Sequence, residues 1–146
     1  MGSPSNEEVV RRYVAAHQAH DFDTIGELRH ADWLEEFPQT GERVRGHAND
    51  LAIMQHWPGG LPRANTLRVT GSEDRWVTTP SNTIHRLVGS GDTWWGDGIA
   101  SYPDGSSWFA SALITLRDGK VHRETWYFGP PLEAPAWRAE WVERID

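Results

Sequence analysis

The chain has 146 residues, a formal charge of −7 and no cysteine. That length fits one domain, 1–146, with a real core, and the missing cysteine excludes disulfides, thiol catalysis and cysteine-held metals. Lys120 is the one lysine beside 13 arginines, so the acidic balance offers no clustered basic surface for nucleic acid.

Residues 1–5, opening Met1-Gly2-Ser3-Pro4, read as a loose or tag-derived start. Ser5-Asn6-Glu7-Glu8 then has the form of a capping box. Val10, Tyr13, Val14 and His17 follow at i, i+3, i+4 and i+7, which predicts one amphipathic helix to about Ala19. Asp21-Phe22-Asp23 opens a second helix with Ile25 and Leu28 facing inward. Asp32 to Phe37 reads as a strand stopped by Pro38, and Arg43 to Arg45 as a brief extended piece. Asn49 is expected to cap a third helix carrying Leu51, Ile53, Met54 and Trp57, ending at Pro58-Gly59-Gly60.

Beyond Leu67 the pattern turns to strands: Leu67–Thr70, Arg75–Thr79, Thr83–Val88, Asp92–Ser101, Ser107–Arg117 and Val121–Phe128. Pro103-Asp104-Gly105 and Asp118-Gly119 are the hairpin turns. Residues 130–146 form a proline-rich tail, with Trp137 and Trp141 at i, i+4 on a short helix packing on the barrel or on a partner subunit. Three helices followed by antiparallel strands predict an α+β fold. Its curved, mainly antiparallel sheet would carry the helices on the concave face, as a cone-shaped half-barrel around a small-molecule pocket. Nine tryptophans suit such a pocket or a subunit interface, and equally a core.

Four stretches resemble the nuclear transport factor 2-like superfamily, specifically its SnoaL-like branch. Arg12-Tyr13-Val14-Ala15-Ala16 through Asp21-Phe22-Asp23 is similar to the first two helices of ketosteroid isomerase. Gly41-Glu42-Arg43-Val44-Arg45-Gly46 resembles the loop into helix three. Leu116 to Val121 with Trp126-Tyr127-Phe128 resembles the terminal hairpin. Glu133-Ala134-Pro135-Ala136-Trp137-Arg138 with Trp141-Val142-Glu143-Arg144 resembles the tail of bacterial members. The resemblance implies isomerase, cyclase, epoxide hydrolase, dehydratase or non-enzymatic roles. Of the ketosteroid isomerase set it leaves Tyr13 in place, with Phe37 at the base position and Ala112 at the acid position. The aspartate of limonene epoxide hydrolases falls at Trp126. Both sets are incomplete.

Strand alternation supplies other candidates. If Phe128 faces the cavity, so do Trp126, Glu124 and His122, and a buried Glu-His pair can serve as acid and base near neutral pH. Glu124 and His122 are therefore the expected proton-transfer pair, with Glu35 and Tyr13 as supporting polar groups. Glu35 shares a face with Phe37 and is either catalytic or ion-paired with an arginine such as Arg123 or Arg86. Trp94, Trp108, Trp126, Phe128 and Phe37 are expected to form the aromatic wall, with His17 beside Tyr13. Asp97, between Gly96 and Gly98, and His85 have undetermined faces. The histidines show no metal-binding spacing and no phosphate loop is present, so no metal and no cofactor are expected.

The expected function is a cofactor-independent acid–base enzyme acting on a hydrophobic small molecule. Its rivals are a non-catalytic binding module and a protein-interaction domain. With no run approaching 18 apolar residues and no signal segment, no membrane span is expected, and a cytoplasmic location is. Phe109 and Leu113, facing out, would make a sheet-to-sheet homodimer.

Overall fold

The computed structural model describes residues 2–65, 68–70, 76–78 and 86–145. Helix α1 (Asn6–Gln18) begins at the predicted capping box: Ser5 Oγ accepts from the Glu8 N–H at 3.2 Å, and the Glu8 carboxylate accepts from the Ser5 N–H at 2.6 Å. Helix α2 (Phe22–Leu28) is capped by Asp21, which accepts from the Thr24 N–H at 3.1 Å. Both helices bury apolar stripes, Val9, Val10 and Tyr13 from the first and Ile25 and Leu28 from the second. A fully buried side chain such as Ile25 or Val10 contributes roughly 1.5–3 kcal/mol.

Strand β1 (Arg29–Phe37) starts three residues earlier than Asp32, the expected first residue. The segment Arg29-His30-Ala31-Asp32 shows no apolar alternation because it bulges against its neighbour, with five steps along β1 opposing two on the partner strand. After β2 (Glu42–Arg45), helix α3 (His47–Gln55) opens at Gly46, not at Asn49. Gly46 has φ +80°, a left-handed conformation that favours glycine. Asn49 instead sits in the first turn and donates from Nδ2 to the Arg45 carbonyl.

Strands β3 (Arg63–Asn65), β4 (Arg68–Thr70), β5 (Trp76–Thr78), β6 (Arg86–Ser90), β7 (Thr93–Ser101), β8 (Ser107–Arg117) and β9 (Lys120–Gly129) follow. The expected strands between Leu67 and Val88 fall partly outside the described residues, as does His85. The main sheet runs β2-β1-β9-β8-β7-β3, with β6 also pairing β7; β4 and β5 pair separately. Only β1 and β9 run parallel among the paired strands described. Asp118 and Gly119, at φ 52° and 70°, close the β8–β9 hairpin in the two-residue turn that their sequence demands.

The α+β architecture is thus as expected, a curved, mostly antiparallel sheet whose concave face packs on the helices. The core joins Val10, Tyr13 and Ile25 from the helices to Trp33, Ile114 and Val121 from the strands. The tail forms a 3-10 turn over Ala136–Trp141, with Trp137 and Trp141 both exposed. No helix among the described residues is long and apolar enough to cross a membrane.

Candidate functional site

On β8 the side chains of Ala110, Ala112, Ile114 and Leu116 share the inner face, and β9 matches them with Phe128, Trp126, Glu124 and Val121. The step from Glu124 to Val121 is three residues, not two. Leu116 pairs with Val121 while Thr115 pairs with Arg123, so His122 is an extra residue opposite no partner. This bulge breaks the alternation that would have turned His122 inward. The imidazole instead stands 5.3 Å from His30, outside the cavity lining. The expected Glu124-His122 pair is therefore not formed.

Glu124 has different company. It is 1 % exposed, and its Oε2 accepts from the Tyr13 hydroxyl at 2.7 Å and from the Trp33 indole N–H at 2.8 Å. Glu124 Oε1 is buried and has no hydrogen-bond partner. Across the parallel β1–β9 pairing, Glu35 lies directly in register with Glu124. Burial drives the Glu35 pKa well above the ordinary carboxylate range, and the charges of Glu124 and Asp50 push it the same way. Arg29 and the Trp126 indole N–H oppose this without reversing it. The indole geometry falls short of a hydrogen bond.

Arg29 is the hub behind the carboxyls. Its guanidinium pairs with Asp50 at 2.7 Å, donates to the Tyr13 hydroxyl at 2.7 Å and to His47 Nδ1 at 2.9 Å, and covers the Trp33 ring at 3.6 Å. It also lies 3.8 Å from Glu124 Oε2. Guanidinium has no acceptor, so His47 Nδ1 must accept. Burial alone would lower the arginine pKa, but Tyr13, Glu124 and Asp50 outweigh it and hold Arg29 charged. Burial and then the Glu124 charge raise the Tyr13 pKa, which keeps it a neutral phenol. His17, edge-on to the Tyr13 ring at 4.6 Å, is pushed down to about 3, first by burial and then by the Arg29 charge. It therefore stays uncharged at neutral pH, and its buried Nε2 has no hydrogen-bond partner.

These groups form the polar end of a cavity of about 220 Å³. Its walls include two aromatic stacks: Phe37, Phe128 and Trp126, with centroids 6.1 and 5.7 Å apart, and Trp57 on Tyr102 at 6.4 Å. Of the expected residues, Tyr13, His17, Glu35, Phe37, Asp97, Glu124, Trp126 and Phe128 line it. Asp97 borders the hollow between Gly96 and Gly98, and by alternation its side chain shares a face with Trp95 rather than Trp94.

Trp94 and Trp108 do not line the cavity. Each lies on the inward alternation but at the wrong depth. Trp94, opposite Ile114, is buried in the core and donates to the Gly91 carbonyl. Trp108, opposite Ala100 towards the far end of β8, is 38 % exposed. The expected arginine partners of Glu35 are not found beside it. Arg123 is exposed on the outer face, the side chain of Arg86 lies outside the described residues, and the arginine whose charge reaches Glu35 is Arg29. Three residues near the site escape the sequence reading. Trp33 alternates with Glu35 and Phe37, and Asp50 stands at i before Ile53, Met54 and Trp57 at i+3, i+4 and i+7, so both carry a legible signal. Arg29 belongs to a stretch of β1 without one.

The sequence profile of the SnoaL-like domain matches residues 10–124. An NTF-2 like protein of unknown function from Burkholderia xenovorans LB400 is 30 % identical over 97 % of this chain and 95 % of that chain, with a TM-score of 0.72. A ketosteroid isomerase-like protein from Kribbella flavida DSM 17836 is 22 % identical over 97 % and 90 %, with a TM-score of 0.74. An LEH-like epoxide hydrolase from M. tuberculosis is 16 % identical over 85 % and 82 %, with a TM-score of 0.60. The last two likenesses concern the fold alone. No curated protein matches the sequence.

Proposed function

The chain belongs to the SnoaL-like domain family, and from that premise we propose a cofactor-independent acid–base enzyme acting on a hydrophobic small molecule, with Glu35 as the proton-transfer group. The observation that carries this reading is the in-register pair of buried carboxyls, Glu35 beside Glu124, at one end of an aromatic cavity. Two carboxyls side by side in a low-dielectric site do not both ionise readily, so one retains a proton into the neutral range. Glu35 is the one whose affinity for a proton is raised. Glu124 is anchored through Oε2 by Tyr13 and Trp33, which fixes the geometry and sustains the negative field that tunes Glu35. Tyr13 spends its hydroxyl proton on Glu124, so its part is positioning.

Isomerase-like and epoxide hydrolase neighbours fit such a site, since isomerisation moves a proton within a small molecule and epoxide hydrolysis takes a proton from water and delivers one to the opening epoxide oxygen. Neither of their residue sets is reproduced at the positions held here by Phe37, Ala112 and Trp126. Only the proton transfer that Glu35 can perform is therefore proposed. A bicyclic ketone, β-tetralone, in D₂O is a direct probe. Saturable, protein-dependent exchange of its α-protons, followed by NMR, is expected. Binding without exchange would leave a non-catalytic carrier as the correct reading.

We also assign the outer sheet face to a homodimer. Phe109, Leu113 and Tyr127 are 50, 46 and 47 % exposed on one side of β8 and β9, a patch that a second copy would cover. Light scattering should give twice the 16.5 kDa chain mass; a monomer's mass would remove this assignment.

A further inference from the structure

The polar end of the cavity carries a bias in charge that the acid–base reading does not use. Among the described residues its lining includes the carboxyls of Glu35, Asp50 and Glu124 but no lysine or arginine. Of its histidines, buried His17 stays uncharged at neutral pH. The nearest cation, Arg29, sits behind the lining and is shared between Asp50 and Glu124. At Glu35 the two carboxyls outweigh Arg29, so the field there is negative. The described carboxyls do not converge in a metal-holding group of three.

A second feature points to a missing occupant. Glu124 lines the cavity, and its buried Oε1 accepts no hydrogen bond. A buried carboxylate oxygen without a donor costs free energy until a ligand supplies one. The aromatic stack of Phe37, Phe128 and Trp126 stands on the same inner strands as the two carboxyls. Ring faces attract a cation and a neutral apolar body alike, whereas they give an anion nothing.

We propose that the cavity takes a lipophilic amine in its ammonium form, with Glu124 Oε1 and Glu35 receiving the charge and the Phe37-Phe128-Trp126 stack holding the apolar body. This rests on the cavity being the ligand site proposed above. An ammonium beside Glu35 favours the ionised carboxylate.

Three probes of nearly equal size test this by calorimetry at neutral pH: 2-phenylethylammonium, 2-phenylethanol and phenylacetate. The ammonium should bind about tenfold or more tighter than the alcohol, and phenylacetate weakest. In Glu35→Gln the preference for ammonium over alcohol should shrink. If the alcohol or phenylacetate binds as well as the ammonium, the amine assignment is overturned while the pocket reading stands. Binding of β-tetralone alone has the same consequence. Should none of the four compounds bind, both readings fall.

Discussion

Glu35→Gln should lower turnover about 10²–10⁴-fold, the usual worth of a positioned acid–base group, and should also make the folded protein more stable at about pH 8. The second effect follows from the direction of the pKa shift. Glu35 faces Glu124 on β9, Asp50 on α3, Arg29 on its own strand, and Trp126, and the balance of burial and charge raises its pKa. A folded-state value above the unfolded one means that the native chain keeps a proton that the unfolded chain releases. Stability is therefore fully present below the unfolded carboxyl range, about pH 4, and declines as pH rises through the folded value. Glutamine keeps the shape and cannot ionise, so its gain appears near pH 8 and vanishes near about pH 4. Denaturant melts at the two pH values, paired with exchange kinetics on β-tetralone, separate the effects. Unchanged turnover would remove Glu35 from the chemistry, and loss of stability at the higher pH would contradict the assigned shift.

The other large effect concerns Arg29. Arg29→Met should destabilise the fold by about 3–5 kcal/mol, because removing one member of a buried ionic group leaves its partners without compensation. Asp50 and Glu124 would face a low-dielectric interior alone, and Tyr13 Oη and His47 Nδ1 would each lose a donor. For a chain of this size the loss corresponds to roughly 10–20 °C in Tm. The deficit should be smaller near about pH 4.5 than near pH 8, since the stranded carboxyls can then take up protons. Arg29→Lys should recover only part of it, as one ammonium cannot serve four directions. A melting temperature within about 2 °C of the parent for Arg29→Met would show that the network is not a stabilising hub.

What the residues announce in advance is whatever local chemistry dictates. Ser5 and Glu8 signal α1, Asp118-Gly119 signals its hairpin, and the Tyr13–His17 stripe and the Glu35–Phe37 and Glu124–Phe128 alternations bring eight lining residues to the cavity. The failures have a common cause, which is that they depend on distant partners. Arg29 is inward because Asp50, His47 and Tyr13 are there to meet it, and nothing within its own stretch signals this. Trp94 and Trp108 occupy the correct face, but alternation carries no information about depth along a strand. His122 escapes the alternation because a one-residue bulge leaves no trace in the surrounding residue types. Asp50 differs, since its helical phase with Ile53, Met54 and Trp57 is legible but looks like ordinary amphipathicity.

The unmatched position at His122 also makes β9 a place where one residue more or less is absorbed without turning its neighbours over. Deleting His122 would restore the regular alternation and leave Val121, Glu124, Trp126 and Phe128 facing inward, whereas deleting Val121 would put the imidazole opposite Leu116 in its place. A gapless alignment through the hairpin with a chain that lacks the extra residue would thus assign the wrong residue to the interior.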